Sequence, residues 1–145
     1  MSHGTFNPRV AGIFISIHFL NQLVLGMNPA VSVILPAFRC KRYLSGAIQS
    51  ILDQTMSNLE LIVVVRESDG DLLANVVRER FDDPRIKLII QNGKGYAAAY
   101  NLGFSAAKGE FIAIQDCDDI SETDRLEVAA SRTPSRGEET LPVTS

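Results

Sequence analysis

Cysteine and histidine are scarce in this sequence of 145 residues, which contains two of each. Cys40 and Cys117 form no CxxC pair, and no cluster of histidines accompanies them, so a zinc site is not expected. Two cysteines are also too few for a disulfide framework in a chain of this length. A reducing compartment such as the cytoplasm is therefore the simpler prediction for its location.

An excess of positive charge is also missing. The chain has 14 Lys and Arg against 17 Asp and Glu, a net charge of -3 and a pI of about 5.3. No basic stripe is visible, so nucleic acid is not expected as a partner. An anionic ligand must then be held locally, by a metal ion, a helix N-terminus or a few cations.

No apolar run is long and continuous enough to predict a membrane-spanning helix directly. Residues 10–27 are apolar but interrupted by polar side chains between positions 16 and 22, whereas a spanning helix needs about 20 mostly apolar residues. Only Arg9 is basic before this stretch and no small-residue cleavage site follows, which argues against a signal peptide. Residues 1–29 are expected to be a poorly ordered leader or an extra packed helix. Peripheral contact with the inner face of a membrane, a spanning segment and a mis-assigned start are the alternatives.

The rest of the chain alternates between two hydrophobic patterns. Short apolar or β-branched runs predict strands at 31–35, 61–65, 86–90 and 111–114. Apolar residues at helical spacing, or an Ala-rich composition, predict helices at 43–52, 72–81 and 96–107. Ser121 and Asp124 resemble the start of a further helix, because a short side-chain oxygen caps free N–H groups.

This order predicts an α/β fold, with an open and mostly parallel sheet and helices on both faces. Parallel strands need crossover connections, and the helices supply them. The predicted domain covers 30–128, and the Ser-, Thr-, Pro- and Glu-rich residues 129–145 are predicted to be a disordered tail. Ligands of such sheets bind beyond the carboxyl ends of the strands. Those ends are the segments 36–39, 66–71, 91–95 and 115–119.

The acidic sequence Asp116-Cys117-Asp118-Asp119 directly follows the fourth predicted strand. Three carboxylates so close together repel one another unless a cation lies between them. Carboxylates together with substrate phosphates form a typical Mg²⁺ or Mn²⁺ site. The alternative is a solvated acidic turn before the next helix, but the position at a strand's carboxyl end favours the metal site.

Two other strand ends carry residues that suit a nucleotide. Phe38 could stack on a nucleobase and Arg39 could meet a phosphate, although a core phenylalanine and a surface arginine are the alternative. Asn92-Gly93-Lys94-Gly95 leads into a helix. Glycine allows close backbone approach and a helix N-terminus favours anions, although an ordinary turn has the same composition.

Taken together and in this order, these pieces resemble the family-2 glycosyltransferases, which have the GT-A fold. The resemblance extends from about residue 29 to residue 127. The matching pieces are VSVILPAF at 31–38, YL at 43–44, SILDQT at 50–55, LELIVV at 59–64, DPRI at 83–86, NLG at 101–103, AKGE at 107–110 and DCDD at 116–119, with Gly95, Ala98, Arg125 and Leu126.

The resemblance implies roles for several residues in binding a nucleoside diphosphate sugar. Pro36, Ala37 and Phe38 would line the nucleobase pocket. Asp116 and Asp118 would be the DxD pair, which touches the ribose and holds Mn²⁺ or Mg²⁺ on the diphosphate. Such a metal acts as a Lewis acid that offsets charge on the departing nucleoside diphosphate. Asp119 would orient the loop.

The sequence departs from the family pattern after the second strand. An acidic pair usually stands there, and one Asp of it contacts the base, but this chain has Arg66 at that place. Glu67, Asp69 or Asp71 could substitute after a local shift, so the identity of the base is left open. We therefore predict donor contacts for Arg66, Glu67 and Asp69 as well as for Arg39, Lys94, Gly95 and Asp116.

The resemblance also leaves the acceptor side open. In this family the acceptor base lies well after the DxD pair, and no catalytic residue of that kind is identified here. The 145-residue chain is therefore expected to bind donor and metal without efficient transfer to an acceptor, which is a glycan, a lipid-linked sugar or a protein. The alternative is a non-catalytic nucleotide-sugar-binding or interaction module. An exposed apolar face would favour a homo-oligomer.

Other nucleotide-binding classes fit less well. A receiver domain needs acidic residues after its first strand, where this chain has Pro36-Ala37-Phe38. A dehydrogenase needs G-x-G-x-x-G at the same place, but Gly93 and Gly95 follow the third strand instead. A nucleotidyltransferase normally has a Gly-rich loop after strand one, which is also missing.

Overall fold

A computed structural model describes residues 28–93 and 95–134, without the side chains of 69–71. The predicted leader up to residue 27, the predicted tail from residue 135 and Lys94 lie outside the described residues. The elements are β1 (Val31–Ala37), α1 (Lys41–Leu52), β2 (Leu59–Arg66), α2 (Gly70–Arg80), β3 (Ile86–Gln91), α3 (Tyr96–Ala106), β4 (Phe111–Ile114) and α4 (Arg125–Arg132). A 3-10 turn, Glu67–Asp69, connects β2 to α2. No helix within these residues is long and apolar enough to cross a membrane.

The four strands form one parallel sheet in the order β3-β2-β1-β4. β1 and β2 are the central strands. Nearly all their residues are buried, because they are covered on both faces, as their continuous apolar runs predict. Helices lie on both faces of the sheet. The predicted α/β fold class is therefore confirmed.

The larger hydrophobic core lies on one face of the sheet. Alternate residues of β1 and β2 point to this face and pack against apolar side chains of α1, α2 and α4, among them Leu44, Ile48, Leu73 and Leu126. The spacing of these helical residues places them on one side of each helix, which explains why the pattern predicted α1 and α2.

Among the described elements, α3 alone covers the opposite face. The alanines and glycines of α3 let it lie close to the strands. A Cβ at Gly103 would come within 2.5 Å of the Cγ2 atom of Ile34. The cover does not extend over β4, whose Ile112 and Ile114 remain 48% and 42% exposed.

The strand β1 continues through Pro36 to Ala37, two residues beyond the predicted end. The amide of Gln115 donates to the carbonyl of Ile34 at 2.9 Å, so Ile34 and, two residues on, Pro36 face the β4 side. β4 ends at Ile114, the register partner of Ile34. The missing N–H of Pro36 therefore costs no bond in the sheet, which is why proline is accepted in a central strand.

The end of the predicted domain also differs. α4 continues to Arg132, beyond the boundary predicted at residue 128. Its N-cap residue, Asp124, makes no side-chain capping bond. The hydroxyl of Ser121 donates to the Oε1 atom of Gln115 at 2.6 Å and so is not a helix cap.

A buried carboxylate joins three strands at the amino end of the sheet. Glu60 accepts hydrogen bonds from the hydroxyl of Ser32 at 2.5 Å, from the ammonium of Lys87 at 2.5 Å and from the amide of Lys108 at 2.6 Å. Burial alone would raise the pKa of Glu60, but these hydrogen bonds outweigh it and hold the pKa below its usual value. The amide of Gly109 donates to Ser32 at 2.7 Å and extends the network.

Candidate functional site

The four strands end at the same edge of the sheet, because all of them are parallel. Two features lie there. One is a pocket where β1, β2 and β3 end beside α3. The other is the acidic loop, residues 115–119, which follows β4.

The pocket brings together residues that the sequence predicts for a nucleobase. Its lining comprises Pro36, Ala37, Phe38, Val64, Arg66, Gln91, Gly95, Tyr96 and Ala99. Five of these were predicted donor contacts, namely Pro36, Ala37, Phe38, Arg66 and Gly95. The ring of Tyr96 meets the ring of Phe38 edge to face, with the centroids 6.3 Å apart. The pocket therefore has one aromatic wall, formed by Phe38 and Tyr96.

Two guanidinium groups lie on this aromatic wall. The guanidinium carbon of Arg66 is 3.8 Å from the centroid of the Phe38 ring, and that of Arg39 is 5.0 Å away. Such cation–π contacts hold the two side chains in place. Arg39 has a φ of 50°, a left-handed conformation that Asn or Gly adopts more readily. The phosphate contact of Arg39 stays a prediction.

The turn before α3 needs a glycine at one position. Gly95 has a φ of 91° and directly precedes the helix, so any other residue would be strained there. Its carbonyl accepts a hydrogen bond of 3.1 Å from the side-chain nitrogen of Gln91. This bond fixes the buried side chain of Gln91 at the end of β3.

The carboxylates of Asp116, Asp118 and Asp119 are exposed, whereas their support is buried. Gln115, which is 2% exposed, donates to the carbonyls of Asp116 at 3.2 Å and Asp119 at 2.8 Å. The amide of Asp119 in turn donates to the carbonyl of Asp116 at 3.2 Å. The acidic loop is thus a tight turn built around one buried amide group.

Arg125 holds that amide group from the other side. Its guanidinium donates to Gln115 Oε1 at 2.7 Å, to the hydroxyl of Ser121 at 2.8 Å and to the carbonyl of Ile114 at 2.6 Å. Arg125 therefore orients the support of the acidic loop, and it makes no ion pair with a carboxylate among the described residues.

The end of α1 anchors the chain that follows the acidic loop. The side chain of Gln54 donates to the carbonyl of Glu122 at 2.6 Å and accepts from the amide of Leu126 at 3.0 Å. The amide of Thr55 donates to the carbonyl of Thr123 at 2.8 Å. The segment SILDQT at 50–55 therefore positions the loop before α4, a role that its spacing did not reveal.

The two cysteines form a disulfide, with their Cα atoms 6.1 Å apart. The sequence predicted no disulfide framework, and the structure joins the two cysteines in a single bond. Cys40 directly precedes α1, and Cys117 lies within the acidic loop, so the bond joins the chain after β1 to the chain after β4. Pairing across 77 positions depends on the fold and has no local signal in the sequence. The reducing compartment stays a prediction.

The acidic loop has an uncompensated negative charge. Among the described residues, no Lys or Arg forms an ion pair with Asp116, Asp118 or Asp119. The same residues contain no group of three or more His, Cys, Asp or Glu side chains arranged around one point. Two exposed carboxylates nevertheless fit a Mg²⁺ or Mn²⁺ site that is completed by substrate phosphates.

A comparison with known protein families identifies the family of this chain. The family described as Glycosyl transferase family 2 matches residues 32–133, which include β1 apart from its first residue and every later element to α4. The chain belongs to glycosyltransferase family 2. The family resemblance inferred from the sequence is therefore confirmed.

Individual family members agree with this assignment. The chain is 38% identical over 102 residues to WfgD of Escherichia coli, described as a UDP-Glc:alpha-D-GlcNAc-diphosphoundecaprenol beta-1,3-glucosyltransferase. The match covers 70% of this chain and 40% of WfgD. The chain spans less than half of the length of the curated relatives that it matches.

Solved structures show the same fold. The mannosyltransferase PcManGT of Pyrobaculum calidifontis, solved with GDP-Man and Mn²⁺, aligns with a TM-score of 0.62 at 21% identity. The alignment covers 87% of this chain and 44% of the PcManGT chain. TarS of S. aureus in complex with UDP aligns with a TM-score of 0.58 at 22% identity. The alignment covers 72% of this chain and 31% of the TarS chain. The GT-A fold is confirmed.

Gln91, Tyr96 and Tyr100 were not among the residues predicted to contact the donor. Gln91 and Tyr96 line the pocket, and they lie on either side of the Gly-rich turn at 92–95 from which the donor contacts were predicted. Tyr100 lies near the acidic loop. Burial raises the pKa of the Tyr100 phenol, and the charge of Asp116 raises it further. The position of Tyr100 one helical turn after Tyr96 was the available signal.

Of the predicted donor contacts whose side chains are described, Arg39, Glu67 and Asp116 are not among the residues that line the pocket. Glu67 is exposed in the 3-10 turn after β2 and is not among the lining residues. Asp69 ends the same turn, and its side chain lies outside the described part of the chain. Donor contacts by Glu67, Asp69 and Lys94 stay predictions.

Proposed function

We propose that this chain binds a nucleoside diphosphate sugar together with Mn²⁺ or Mg²⁺, as the donor-binding part of a glycosyltransferase. The observation that carries the proposal is the proximity of the two predicted donor segments. Cys40 follows the Phe38 wall by two residues, and Cys117 lies between the predicted metal ligands. The Cα atoms of these cysteines are 6.1 Å apart. A single nucleotide can therefore reach both the pocket and the acidic loop.

The pocket suits the base end of such a ligand. It lies at the carboxyl edge of the sheet and is lined mostly by apolar or aromatic side chains, with the polar groups of Arg66, Gln91 and Tyr96. Ligand sites typically combine an apolar surface with a few polar groups that set orientation. An open parallel sheet binds its ligands at this edge.

The acidic loop suits the diphosphate end. Asp116 and Asp118 are the residues that would hold the metal, because their carboxylates are exposed and have no cationic partner among the described residues. When bound, the metal supplies Lewis acidity that offsets charge on the departing nucleoside diphosphate. The buried side chain of Gln115 orients the loop, so little ordering is needed when the donor binds.

The acceptor side of the reaction is not assigned to any described residue. The acceptor would be a glycan, a lipid-linked sugar or a protein, consistent with polysaccharide or cell-envelope synthesis by the relatives of this family. The proposal for this chain is therefore donor and metal binding, with transfer as the activity of the whole enzyme. WfgD, whose description names a UDP-Glc donor and a lipid-linked acceptor, supports this class of reaction.

Calorimetric titration with UDP-, GDP-, CDP- and ADP-sugars, with and without Mn²⁺, tests the proposal. We expect one donor class to bind only in the presence of Mn²⁺, and Asp118→Asn to abolish that binding. The matched control is Asp119→Asn, which removes the same charge from the same loop and is expected to retain most of the affinity.

Two outcomes contradict the proposal. If no donor binds while the far-UV circular dichroism shows a folded protein, the chain is an interaction module and not a donor site. If Asp118→Asn and Asp119→Asn weaken binding equally, the loop acts only through its net charge, and Asp116 and Asp118 are not a specific metal pair.

A further inference from the structure

Arg66 and Gln91 are adjacent polar residues on the floor of the pocket. They are register partners at the ends of β2 and β3, and both line the pocket. Arg66 lies two residues beyond Val64, and Val64 belongs to the small core on the α3 face of the sheet. The side chains of Arg66 and Gln91 therefore point to the side of the sheet on which α3 forms the pocket wall.

The orientation of both groups is constrained by the protein. The guanidinium of Arg66 lies 3.8 Å from the Phe38 ring centroid, and the amide nitrogen of Gln91 is engaged by the carbonyl of Gly95 at 3.1 Å. The Oε1 atom of Gln91 can only accept, and no described residue donates a hydrogen bond to it. The residue is nevertheless only 3% exposed. A buried amide oxygen of this kind normally has a partner.

Arg66 has the opposite character. A guanidinium offers only donors, in a planar fork that matches two adjacent acceptors. No carboxylate forms an ion pair with Arg66 within the described residues. A ligand in the pocket would therefore meet a pair of donors from Arg66 and, beside it, one acceptor from Gln91.

We infer that Arg66 and Gln91 select a nucleobase whose edge carries two adjacent acceptors followed by a donor. Guanine has this order at N7, O6 and N1–H, and cytosine has it at O2, N3 and the N4 amino group. Uracil has acceptor, donor, acceptor, and adenine likewise alternates, so neither can use the whole array. This inference rests on the proposed donor site and names its base class, guanine or cytosine.

The test is a titration of the 145-residue protein with GDP, CDP, UDP and ADP at one Mn²⁺ concentration. GDP or CDP is expected to bind about tenfold or more tightly than UDP and ADP, the range of one bidentate Arg–base contact. The ratio of GDP to CDP affinity shows whether guanine or cytosine is the base. Tight binding with UDP or ADP preferred, or with no preference, overturns the inference but leaves the proposed function intact.

Two variants separate a base contact from a phosphate contact by Arg66. Arg66→Asp replaces the donors with acceptors, so we expect it to lose the GDP or CDP preference and to favour UDP through its N3–H. Arg66→Lys keeps the charge but loses the fork, so the preference should fall at least about fivefold.

Equal weakening of all four nucleotides by both variants would show that Arg66 binds the diphosphate, which overturns the inference. No binding of any nucleotide to the folded wild-type protein would overturn the proposed function, and this inference with it.

Discussion

Cys117 is bonded to Cys40, so the acidic loop is covalently joined to the start of α1. The bond lies between two segments that we assign to opposite ends of one ligand. The Sγ atom of Cys117 also lies 3.9 Å from the carbonyl oxygen of Phe38. Opening the bond is expected to loosen both segments together.

Reduction of this disulfide is the first prediction. The bond closes a loop of 77 positions, and cross-links of this kind contribute about 2–4 kcal/mol to the free energy of unfolding. Urea unfolding with and without a phosphine reductant should show a loss in that range. The Cys40→Ser, Cys117→Ser double variant should be less stable from the outset and insensitive to the reductant. Identical wild-type curves with and without reductant would contradict the prediction.

The second prediction concerns the buried carboxylate of Glu60. Its pKa is held below the usual value of 4.5, so its stabilising contribution is complete above pH 4.5 and is lost as the pH falls through the lowered pKa. Thermal unfolding of Glu60→Gln should therefore show less acid sensitivity than wild type below pH 4.5, together with a loss of about 1–3 kcal/mol at neutral pH. Glu79→Gln, an exposed position on α2, is the control. Parallel pH profiles for wild type and Glu60→Gln would rule the network out as the cause.

The third prediction concerns the turn before β4. An alanine Cβ at position 109 would lie 2.5 Å from the amide nitrogen of Ser32 and 2.7 Å from its hydroxyl oxygen. The Gly109→Ala substitution should therefore push the backbone at position 109 away from that of Ser32 and lower the free energy of unfolding by about 1–3 kcal/mol. The control is Gly93→Ala, whose Cβ would meet its nearest atoms at an ordinary 3.7 Å. That variant should change stability by less than about 0.5 kcal/mol in the same denaturant titration. Equal effects of the two substitutions would contradict the prediction.

The fourth prediction concerns the support of the acidic loop. Gln115→Leu leaves the carbonyls of Asp116 and Asp119 without their buried donor and removes an acceptor from Arg125. We expect a loss of stability of about 1–3 kcal/mol and weaker Mn²⁺-dependent nucleotide binding, measured by calorimetry below the melting temperature of the variant. Gln49→Leu, an exposed change on α1, should leave the affinity unchanged. Unaltered nucleotide affinity in Gln115→Leu would show that the loop keeps its shape without this amide.

Much of the fold could be predicted because it is encoded by neighbours along the chain. The runs that begin at Val31 and Leu59 are apolar on both faces, and this property belongs to buried parallel strands wherever they occur. Parallel strands place their carboxyl ends at one edge, so the approximate position of the site followed from the order of elements.

The remaining features depend on contacts between distant residues. The pairing of Cys40 with Cys117 and the hydrogen bond between Arg125 and Gln115 join segments that only the folded chain brings together. Likewise, the residue pattern identified Phe38 as an aromatic at a strand end, but it could not show that a guanidinium from the next strand lies against it.

The uncovered flank of β4 has a practical consequence for all of these measurements. Within the described sheet, β4 pairs with β1 on one side only and leaves its other edge unpaired. The side chains of Ile112 and Ile114 in this strand are exposed. A short edge of this kind can template a strand from another molecule. Self-association should therefore grow with protein concentration, and dilution series by light scattering will set the range in which the titrations report on single molecules.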